Sequence, residues 1–403
     1  MQEAKKPTIM EFRYTGLQRV FTAADAAETL PSLLAESGAS RALLVASGTL
    51  AERTHDFADL KAALANSFAG LCTSIRSHTP REDVLAAAEF AREAQADMLV
   101  SLGGGSSIDA CKAMQLIIDQ DVHSADELLD YAQRADGTRG RRMADNSLFA
   151  APPKIRQIAV PTTLSGAEFS NNAGVLDTER AAKEGYKAPN LCPQSIIYDP
   201  ALCMHTPEWL WLSTAIRSLD HAIEGFCSKD STPFLDGHFL HAMRLFKASL
   251  PDVHHNPDDL VARDLNQHAV WLACCGLGTV SHGASHGIGY ILGSYCGVPH
   301  GHTSCVMLPA VLAWNAELQA ERQREIADAL GMPGSAASRA VASLIAELGL
   351  PTTLGEVGVK EEQLDEIARR AIKHPVVRKN PRALESAEQV REILTLAWQG
   401  PDL

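Results

Sequence analysis

Four histidines lie within one small-residue, glycine-rich stretch of the sequence, "SHGASHGIGYILGSYCGVPHGH" (281–302). His282 and His286 are four residues apart, so on a helix they would share one face. His300 follows in "VPHGH", where proline and glycine predict a loop, and His221 lies on an earlier predicted helix, "LSTAIRSLDHAIEGF". Neutral imidazoles bind metals and transfer protons. The set therefore predicts a metal or proton-transfer site, with buried structural histidines as the alternative.

A second candidate binding feature is a turn in the segment "DMLVSLGGGSSIDACKAM". The pattern of this segment predicts a strand followed by a helix, with the turn between them. The turn consists of Gly103, Gly104, Gly105, Ser106 and Ser107. Free backbone N–H groups and the helix dipole make such a turn suitable for a pyrophosphate. It matches neither of the two common nucleotide-binding glycine motifs, and a turn for close packing remains the alternative. "PTTLSG" (161–166) predicts a second wall of the same site, or a plain loop.

The elements that position these residues change in character near residue 200. Before it, short apolar runs such as "RALLVAS" (41–47) and "IRQIAVPTT" (155–163) alternate with amphipathic stretches. This pattern is typical of parallel strands with crossover helices. After it, apolar residues recur at helical spacing. We therefore predict an α/β dinucleotide-binding domain over residues 1–200 and an all-α domain over residues 201–403.

Composition excludes several classes of function. The chain has 403 residues, of which 46% are hydrophobic and 21% charged, as in ordinary two-domain globular proteins. Its formal net charge of −13 argues against a nucleic-acid partner, which requires a basic face. No apolar run approaches the roughly 18 residues of a membrane-spanning helix, and the amino terminus does not read as a signal peptide. We expect a cytoplasmic protein whose nine cysteines are buried thiols.

The order of the motifs resembles the iron-containing (group III) alcohol dehydrogenase family. The matching segments, which span nearly the whole chain, are "SLGGGSSIDACKAM", "PTTLSGAEFS", "IIYDPAL", "HAIEGF", "SHGASHGIG" and "VPHGHTSCVMLP". The resemblance implies a dehydroquinate synthase-like fold, a homodimer, and NAD(P)-dependent interconversion of an alcohol and a carbonyl in the cleft between the domains. It places the glycine turn on the pyrophosphate and Thr162 and Thr163 near the nicotinamide. Lys187 is also expected to reach the cofactor.

One position departs from the family's metal-binding members. Their divalent ion, iron or zinc, has three histidine ligands that correspond to His221, His282 and His300, and an aspartate that corresponds to Arg217. A guanidinium beside a dication is unfavourable by a few kcal/mol, an order-of-magnitude figure from Coulomb's law. In the alternative in which Arg217 has a structural role, Asp220, three residues away on the same helix, is its ion-pair partner.

Two functional hypotheses follow from this departure. In the first, the protein resembles the maleylacetate reductase branch, which lacks the aspartate and works without a metal. Arg217 then binds a carboxylate of an oxo acid. In the second, three histidines and a water hold the ion of a metal-dependent alcohol dehydrogenase. In both, His286 is expected to relay the proton. A non-redox lyase of related fold and a nucleotide-binding protein without turnover remain open.

The end of the strand "RALLVAS" bears on the choice of cofactor. An acidic residue at this place would bind the ribose hydroxyls of NAD and repel the 2′-phosphate of NADP. The strand ends in Ser47, and the following residues Gly48 and Thr49 carry no charge. We therefore expect both NAD and NADP to be accepted.

Overall fold

The computed structural model describes residues 12, 14–53, 55–134, 137–143, 152–180 and 182–400. Strands are confined to the first half of this part of the chain, as the change of pattern near residue 200 predicts. They are β1 (Arg19–Phe21), β2 (Ala42–Ala46), β3 (Phe68–Cys72), β4 (Met98–Gly103), β5 (Arg156–Pro161), β6 (Asn172–Asp177), β7 (Ala182–Lys187) and β8 (Ser195–Ile197).

Helices occur in both halves of the described chain. Those of the first half are α1 (Ala26–Ser37), α2 (Gly48–Arg53), α3 (His55–Leu64), α4 (Arg81–Glu93), α5 (Gly105–Asp119) and α6 (Ala125–Leu129). Those of the second half are α7 (Glu208–Cys227), α8 (Pro233–His255), α9 (Leu260–Cys274), α10 (Ala284–Cys296), α11 (His300–Asn315), α12 (Ala320–Ala329), α13 (Ala337–Glu347), α14 (Leu364–Ala371) and α15 (Ala387–Gln399). The predicted fold class, an α/β domain followed by an all-α domain, is confirmed.

Six of the described strands form one sheet in the order β1-β8-β5-β4-β2-β3, with every pairing parallel. Both faces of β2 are covered. Leu43 and Val45 belong to one apolar cluster, whereas Ala42, Leu44 and Ala46 belong to another on the opposite face. Alternate residues of a strand point to opposite faces, so a fully apolar strand such as β2 requires helices on both sides. β6 and β7 form a separate antiparallel hairpin.

The strand order reverses direction between β2 and β4. From β2 the chain moves outward to β3, and from β4 it moves the other way to β5 and β8. In open parallel sheets, ligands bind at the carboxyl ends of the strands that flank such a switch point. Ser47 follows β2, and the glycine turn follows β4. The topology therefore brings these two sequence-predicted segments to one crevice.

Helix α7 forms the centre of the helical half. Nearly all of its residues from Trp211 to Cys227 are buried, including the charged residues Arg217, Asp220 and Glu224. Charged side chains are almost never fully buried unless they are paired. This helix therefore places a group of polar residues inside an otherwise apolar core. Among the described helices, none is long and apolar enough to cross a membrane.

Two histidine positions differ from the local structure predicted for them. His282 does not lie on a helix, because α10 begins at Ala284 after the cap residue Gly283. His300 is not in a loop, because it is the first residue of α11 after Pro299. Proline is well suited to helix starts since its fixed φ is already helical and the first N–H groups need no partner. Both histidines consequently lie at helix amino termini.

Gly166, in the first half of the chain, packs against Cys274 of the second half, and a side chain at this position is expected to be unfavourable. Its φ is +70°, and a Cβ atom there would lie 2.2 Å from Sγ of Cys274. We expect Gly166→Ala to lower the free energy of unfolding by at least about 2 kcal/mol more than Gly38→Ala, because overpacking adds to left-handed strain. Gly38 has a φ of +73°, and a Cβ atom there would meet nothing within 4 Å, so it isolates the strain alone. Urea denaturation of both variants gives the comparison, and equal losses would contradict it.

Candidate active site

The crevice between β2 and β4 has the form of a dinucleotide site. The N–H of Ser47 donates to the carbonyl of Leu102 at 3.2 Å, and the N–H of Thr162 donates to the carbonyl of Gly103 at 3.0 Å. These contacts hold the ends of β2 and β5 against the glycine turn of β4. Thr162 and Thr163 are buried beside the turn. The structure thus brings together all of the predicted cofactor-binding residues except Lys187.

The glycines of the turn lie where a side chain would be crowded or strained. Gly103 has a φ of +152°, a conformation that favours glycine. A Cβ atom on Gly104 would lie 3.0 Å from Cγ2 of Thr163, and one on Gly105 would lie 3.2 Å from Oγ of Ser165. Gly104 caps α5 without a side-chain hydrogen bond. The first N–H groups of a helix lack intrahelical partners, so this end suits a phosphate group. The residues present fit the pyrophosphate of a dinucleotide, although tight packing alone would also require small residues here.

Cofactor choice is expected to be permissive. Ser47 lies at the switch point in place of an acidic residue, so nothing at this position repels a 2′-phosphate. We expect the ratio of Kd values for NADPH and NADH to stay below about a hundredfold, which corresponds to roughly 2.7 kcal/mol. Fluorescence titration of both cofactors measures this ratio. Ser47→Asp should shift the preference towards NADH, and a parent protein that strongly discriminates against NADPH would contradict the expectation.

Three of the predicted histidines meet in the helical half. Nδ1 of His221 lies 3.1 Å from Nε2 of His282 and 2.8 Å from Nε2 of His286. His221 and His282 are partly exposed, whereas His286 is fully buried behind them. His300 is exposed and lies to one side, with its ring 6.1 Å from the ring of Tyr290. The other two histidines therefore lie between His286 and the solvent-accessible part of the cluster.

Glu224 fixes the orientation of His286. Nδ1 of His286 donates to Oε2 of Glu224 at 2.7 Å, since a carboxylate only accepts. The same carboxylate accepts the backbone N–H groups of Gly283 at 2.9 Å and Ser285 at 2.8 Å. It thereby caps α10 and holds the ring in one position. Nε2 of His286 is left to face His221, which gives a continuous hydrogen-bonded path from Glu224 to the partly exposed imidazoles.

Arg217 lies in the same cluster, beside Asp220 but not tightly paired with it. Nη1 of Arg217 is 3.9 Å from Oδ2 of Asp220 and donates to Oγ of Ser304 at 3.1 Å. The guanidinium also lies over the ring of Tyr290, with Cζ 5.5 Å from the ring centroid. Nε of Arg217 is buried with no hydrogen-bond partner. The guanidinium is therefore a buried charge whose donors are not all satisfied by the protein.

The charge of Arg217 dominates the electrostatics of the cluster. It is the largest cause of the low pKa of His300. Burial, followed by the neighbouring histidines and Arg217, holds the pKa of His221 well below its usual value. Burial and Arg217 also act to lower the pKa of His286, but the carboxylates of Asp220 and Glu224 outweigh them and raise it. The partly exposed imidazoles are thus neutral near pH 7, in surroundings that favour an incoming anion.

Lys183 is a candidate site residue that the sequence did not indicate. It lies on β7, and the absence of a side chain at Gly174 lets it cross β6, because a Cβ there would lie 2.4 Å from Cε of Lys183. Crowding by the surrounding protein lowers the pKa of Lys183, and the charge of Arg217 adds to the effect. The predicted residue, Lys187, is exposed at the far end of the same strand. Both point to one face because their separation is even, so the sequence alone did not distinguish them.

A divalent ion does not fit this donor set. In the described part of the chain, the donor groups compact enough for an ion are His221 with His282 and His286, and Asp220 with Glu224 and His286. The predicted trio of His221, His282 and His300 does not form such a group. In the second group, Nδ1 of His286 is already bonded to Glu224. In the first group, Arg217 influences the pKa of each histidine, as it does that of His300. A fixed positive charge at this place opposes a dication.

Comparison with known proteins agrees with this architecture. Residues 18–200 match the family model "Iron-containing alcohol dehydrogenase", and residues 211–398 match "Fe-containing alcohol dehydrogenase family, C-terminal". The chain is 33% identical to Dehydrogenase ALT3 of Alternaria alternata over 394 residues, covering 89% of this chain and 98% of that protein. It is 28% identical to a maleylacetate reductase of Burkholderia cepacia over 384 residues, covering 95% and 96%. The crystal structure of maleylacetate reductase from Agrobacterium tumefaciens superimposes with a TM-score of 0.81 at 26% identity, covering 98% and 99%.

Proposed function

Because the chain belongs to the iron-containing alcohol dehydrogenase family, we propose that it is an NAD(P)-dependent reductase of an oxo acid that works without a metal. The reaction interconverts a carbonyl and an alcohol in the cleft between the sheet and helix α7. Two of the relatives described above are maleylacetate reductases, whose name denotes an acidic substrate. Their identity to this chain, 28% and 26%, leaves the particular oxo acid open.

Arg217 is the observation that carries this proposal. The guanidinium is 2% exposed, donates to the hydroxyl group of Ser304, and leaves Nε without a partner. Burying an incompletely paired charge lowers the stability of the fold, so we expect this arginine to have a functional role. A substrate carboxylate beside the histidines supplies the missing counter-charge and acceptor. Lys183 on β7 lies near enough to Arg217 for the charge of Arg217 to lower its pKa, and it adds positive charge to the same cleft.

The residues of this chain divide the chemical work between the two halves. When bound, the nicotinamide supplies or accepts the hydride. The glycine turn holds the pyrophosphate and fixes the position of the reacting ring. Arg217 orients the oxo acid, and His221 and His282, as partly exposed donors, stabilise the negative charge that develops on the carbonyl oxygen. His286 passes a proton from Nε2 to Nδ1 of His221 as His221 gives one from its other nitrogen to the alkoxide, and Glu224 holds the His286 ring in position. His286 is thus a positioning and relay residue that does not touch the substrate.

The test compares acidic and neutral substrates in the presence and absence of a chelator. Purified protein is assayed for NADH and NADPH oxidation with a series of oxo acids and with their methyl esters. We expect turnover of an oxo acid, a much higher KM for its ester, and no loss of activity in EDTA. Elemental analysis of protein prepared without chelators should show far less than one divalent ion per chain.

Two outcomes would overturn the proposal. A stoichiometric divalent ion whose removal abolishes activity would favour the metal-dependent alcohol dehydrogenase. The compact group of His221, His282 and His286 would then be the candidate ligand set. Cofactor binding without any turnover of carbonyls or alcohols would indicate a lyase or a nucleotide-binding protein. The homodimer and the cytoplasmic location stay predictions, which sedimentation and fractionation would test.

A further inference from the structure

We propose that Asp220 is a positioning residue that holds Arg217 in place through Ser304 without neutralising it. This inference rests on the proposed function, because it concerns how the anion-binding guanidinium is fixed. The inference starts from the observation that the donor set beside Arg217 does not fit a divalent ion. Where a divalent ion does not fit, the positive charge of the site must be held by the protein itself.

Asp220 is the meeting point of three helices. Its Oδ2 atom accepts a hydrogen bond from Ser304 on α11 at 2.6 Å and one from Ser285 on α10 at 2.7 Å. The same oxygen is 3.4 Å from Nδ1 of His286. The residue is fully buried, and its other oxygen, Oδ1, has no hydrogen-bond partner. A buried carboxylate with one unpartnered oxygen is a poor choice for stability alone, so another role is expected.

Ser304 transmits the position of Asp220 to Arg217. A guanidinium only donates and a carboxylate only accepts, so the direction of both hydrogen bonds is fixed. Arg217 donates to Oγ of Ser304 at 3.1 Å, and that hydroxyl donates to Asp220 at 2.6 Å. Consecutive hydrogen bonds of this kind polarise and strengthen one another in a low-dielectric interior. With the ring of Tyr290 on another side, the guanidinium has few alternative positions.

The indirect contact preserves the donors of Arg217. A direct bidentate pair with Asp220 would occupy two donors of the guanidinium and largely cancel its charge. At 3.9 Å, the carboxylate is close enough to offset the cost of burying the cation, but it leaves Nε unpartnered. Arg217 and Asp220 are three residues apart on α7, and Ser304 of α11 bridges them. This arrangement orients the guanidinium and leaves it able to bind a carboxylate.

The experiment measures KM and kcat for an oxo acid and its methyl ester in three single variants. We expect Asp220→Asn and Ser304→Ala each to raise the KM for the acid by about tenfold, with a smaller effect on the ester and none on the Kd of NADH. Their effects should not add in the double variant, because both break one chain of hydrogen bonds. Ser285→Ala removes the other hydroxyl from the same carboxylate without contacting Arg217, so it is the matched control and should not change the acid-to-ester ratio.

The outcomes separate this inference from the proposed function. If Arg217→Ala loses acid selectivity while Asp220→Asn and Ser304→Ala keep it, the positioning role is wrong and the proposed function stands. If Arg217→Ala itself has no selective effect, the proposed function fails first. Should Asp220→Asn not fold, as judged by circular dichroism, Ser304→Ala decides the question alone. A Ser285→Ala variant with the same selective loss as Ser304→Ala would also overturn the inference, because only a general disturbance of Asp220 would explain it.

Discussion

Gly104→Val should raise the Kd for NADH by at least about a hundredfold, the equivalent of roughly 2.7 kcal/mol. The residue caps α5 at the carboxyl end of β4, and even a Cβ atom there would meet Cγ2 of Thr163 at 3.0 Å and Oγ1 at 3.2 Å. A β-branched side chain adds two methyl groups at the place where a pyrophosphate would approach the backbone. Isothermal titration with NADH and NADPH measures the effect.

Two controls separate loss of binding from loss of structure. Gly237→Val makes the same change on α8, where a Cβ atom would meet nothing within 4 Å, and should leave the Kd unchanged. Gly104→Val should retain its secondary structure by circular dichroism, although its melting temperature should fall because of the contact with Thr163. A folded Gly104→Val protein that binds NADH as tightly as the parent would show that the turn serves packing and not the cofactor.

Arg217→Ala should lower kcat/KM for the preferred oxo acid by about two orders of magnitude, mainly through KM. Each hydrogen bond to a charged group contributes about 1.5–3 kcal/mol, so the loss of one or two of them accounts for this size. Turnover of the methyl ester should change much less, since it carries no carboxylate. Arg217→Lys should recover only part of the activity because an ammonium keeps the charge but not the planar fork.

Arg263 provides a matched control for burial. It is also 2% exposed, donates to the carbonyls of Pro257 and Cys203, and stacks on Trp211. Arg263→Ala should lower stability without changing the ratio of acid to ester activity. Arg217→Asp extends the test, because it removes the opposing charge and adds a carboxylate beside the histidines. We expect that variant to take up a divalent ion, and equal selectivity in Arg217→Ala and Arg263→Ala would contradict the role assigned to Arg217.

Local patterns in the sequence were sufficient to predict the fold class and the glycine turn between β4 and α5. The apolar run of β4 followed by three glycines and a helix is a short-range signal, and the structure has the strand ending at Gly103 and α5 beginning at Gly105. The helical spacing of the residues around His221 likewise predicted α7. Such features depend on neighbours within one element, which the sequence records directly.

Predictions that depended on exact element ends were less accurate. His282 was expected on the same helix as His286, but Glu224 caps α10 after that residue and leaves His282 outside the helix. His300 was expected in a loop but begins α11. The sequence did not show these boundaries because a side chain from α7, distant in the sequence, supplies the cap of α10. The rings of His282 and His286 are nevertheless 4.3 Å apart.

The amino-acid sequence shows which residues are available for the site: the histidines, the glycine turn, and an arginine one helical turn before His221. Tertiary structure decided their arrangement. It grouped His286 with His221 and His282, left His300 to one side, and joined Arg217 to Asp220 through a serine from another helix. It also placed Lys183 where the charge of Arg217 lowers its pKa. The physical reason is that hydrogen-bond direction, burial and charge separation depend on distances between elements, which chain spacing does not encode.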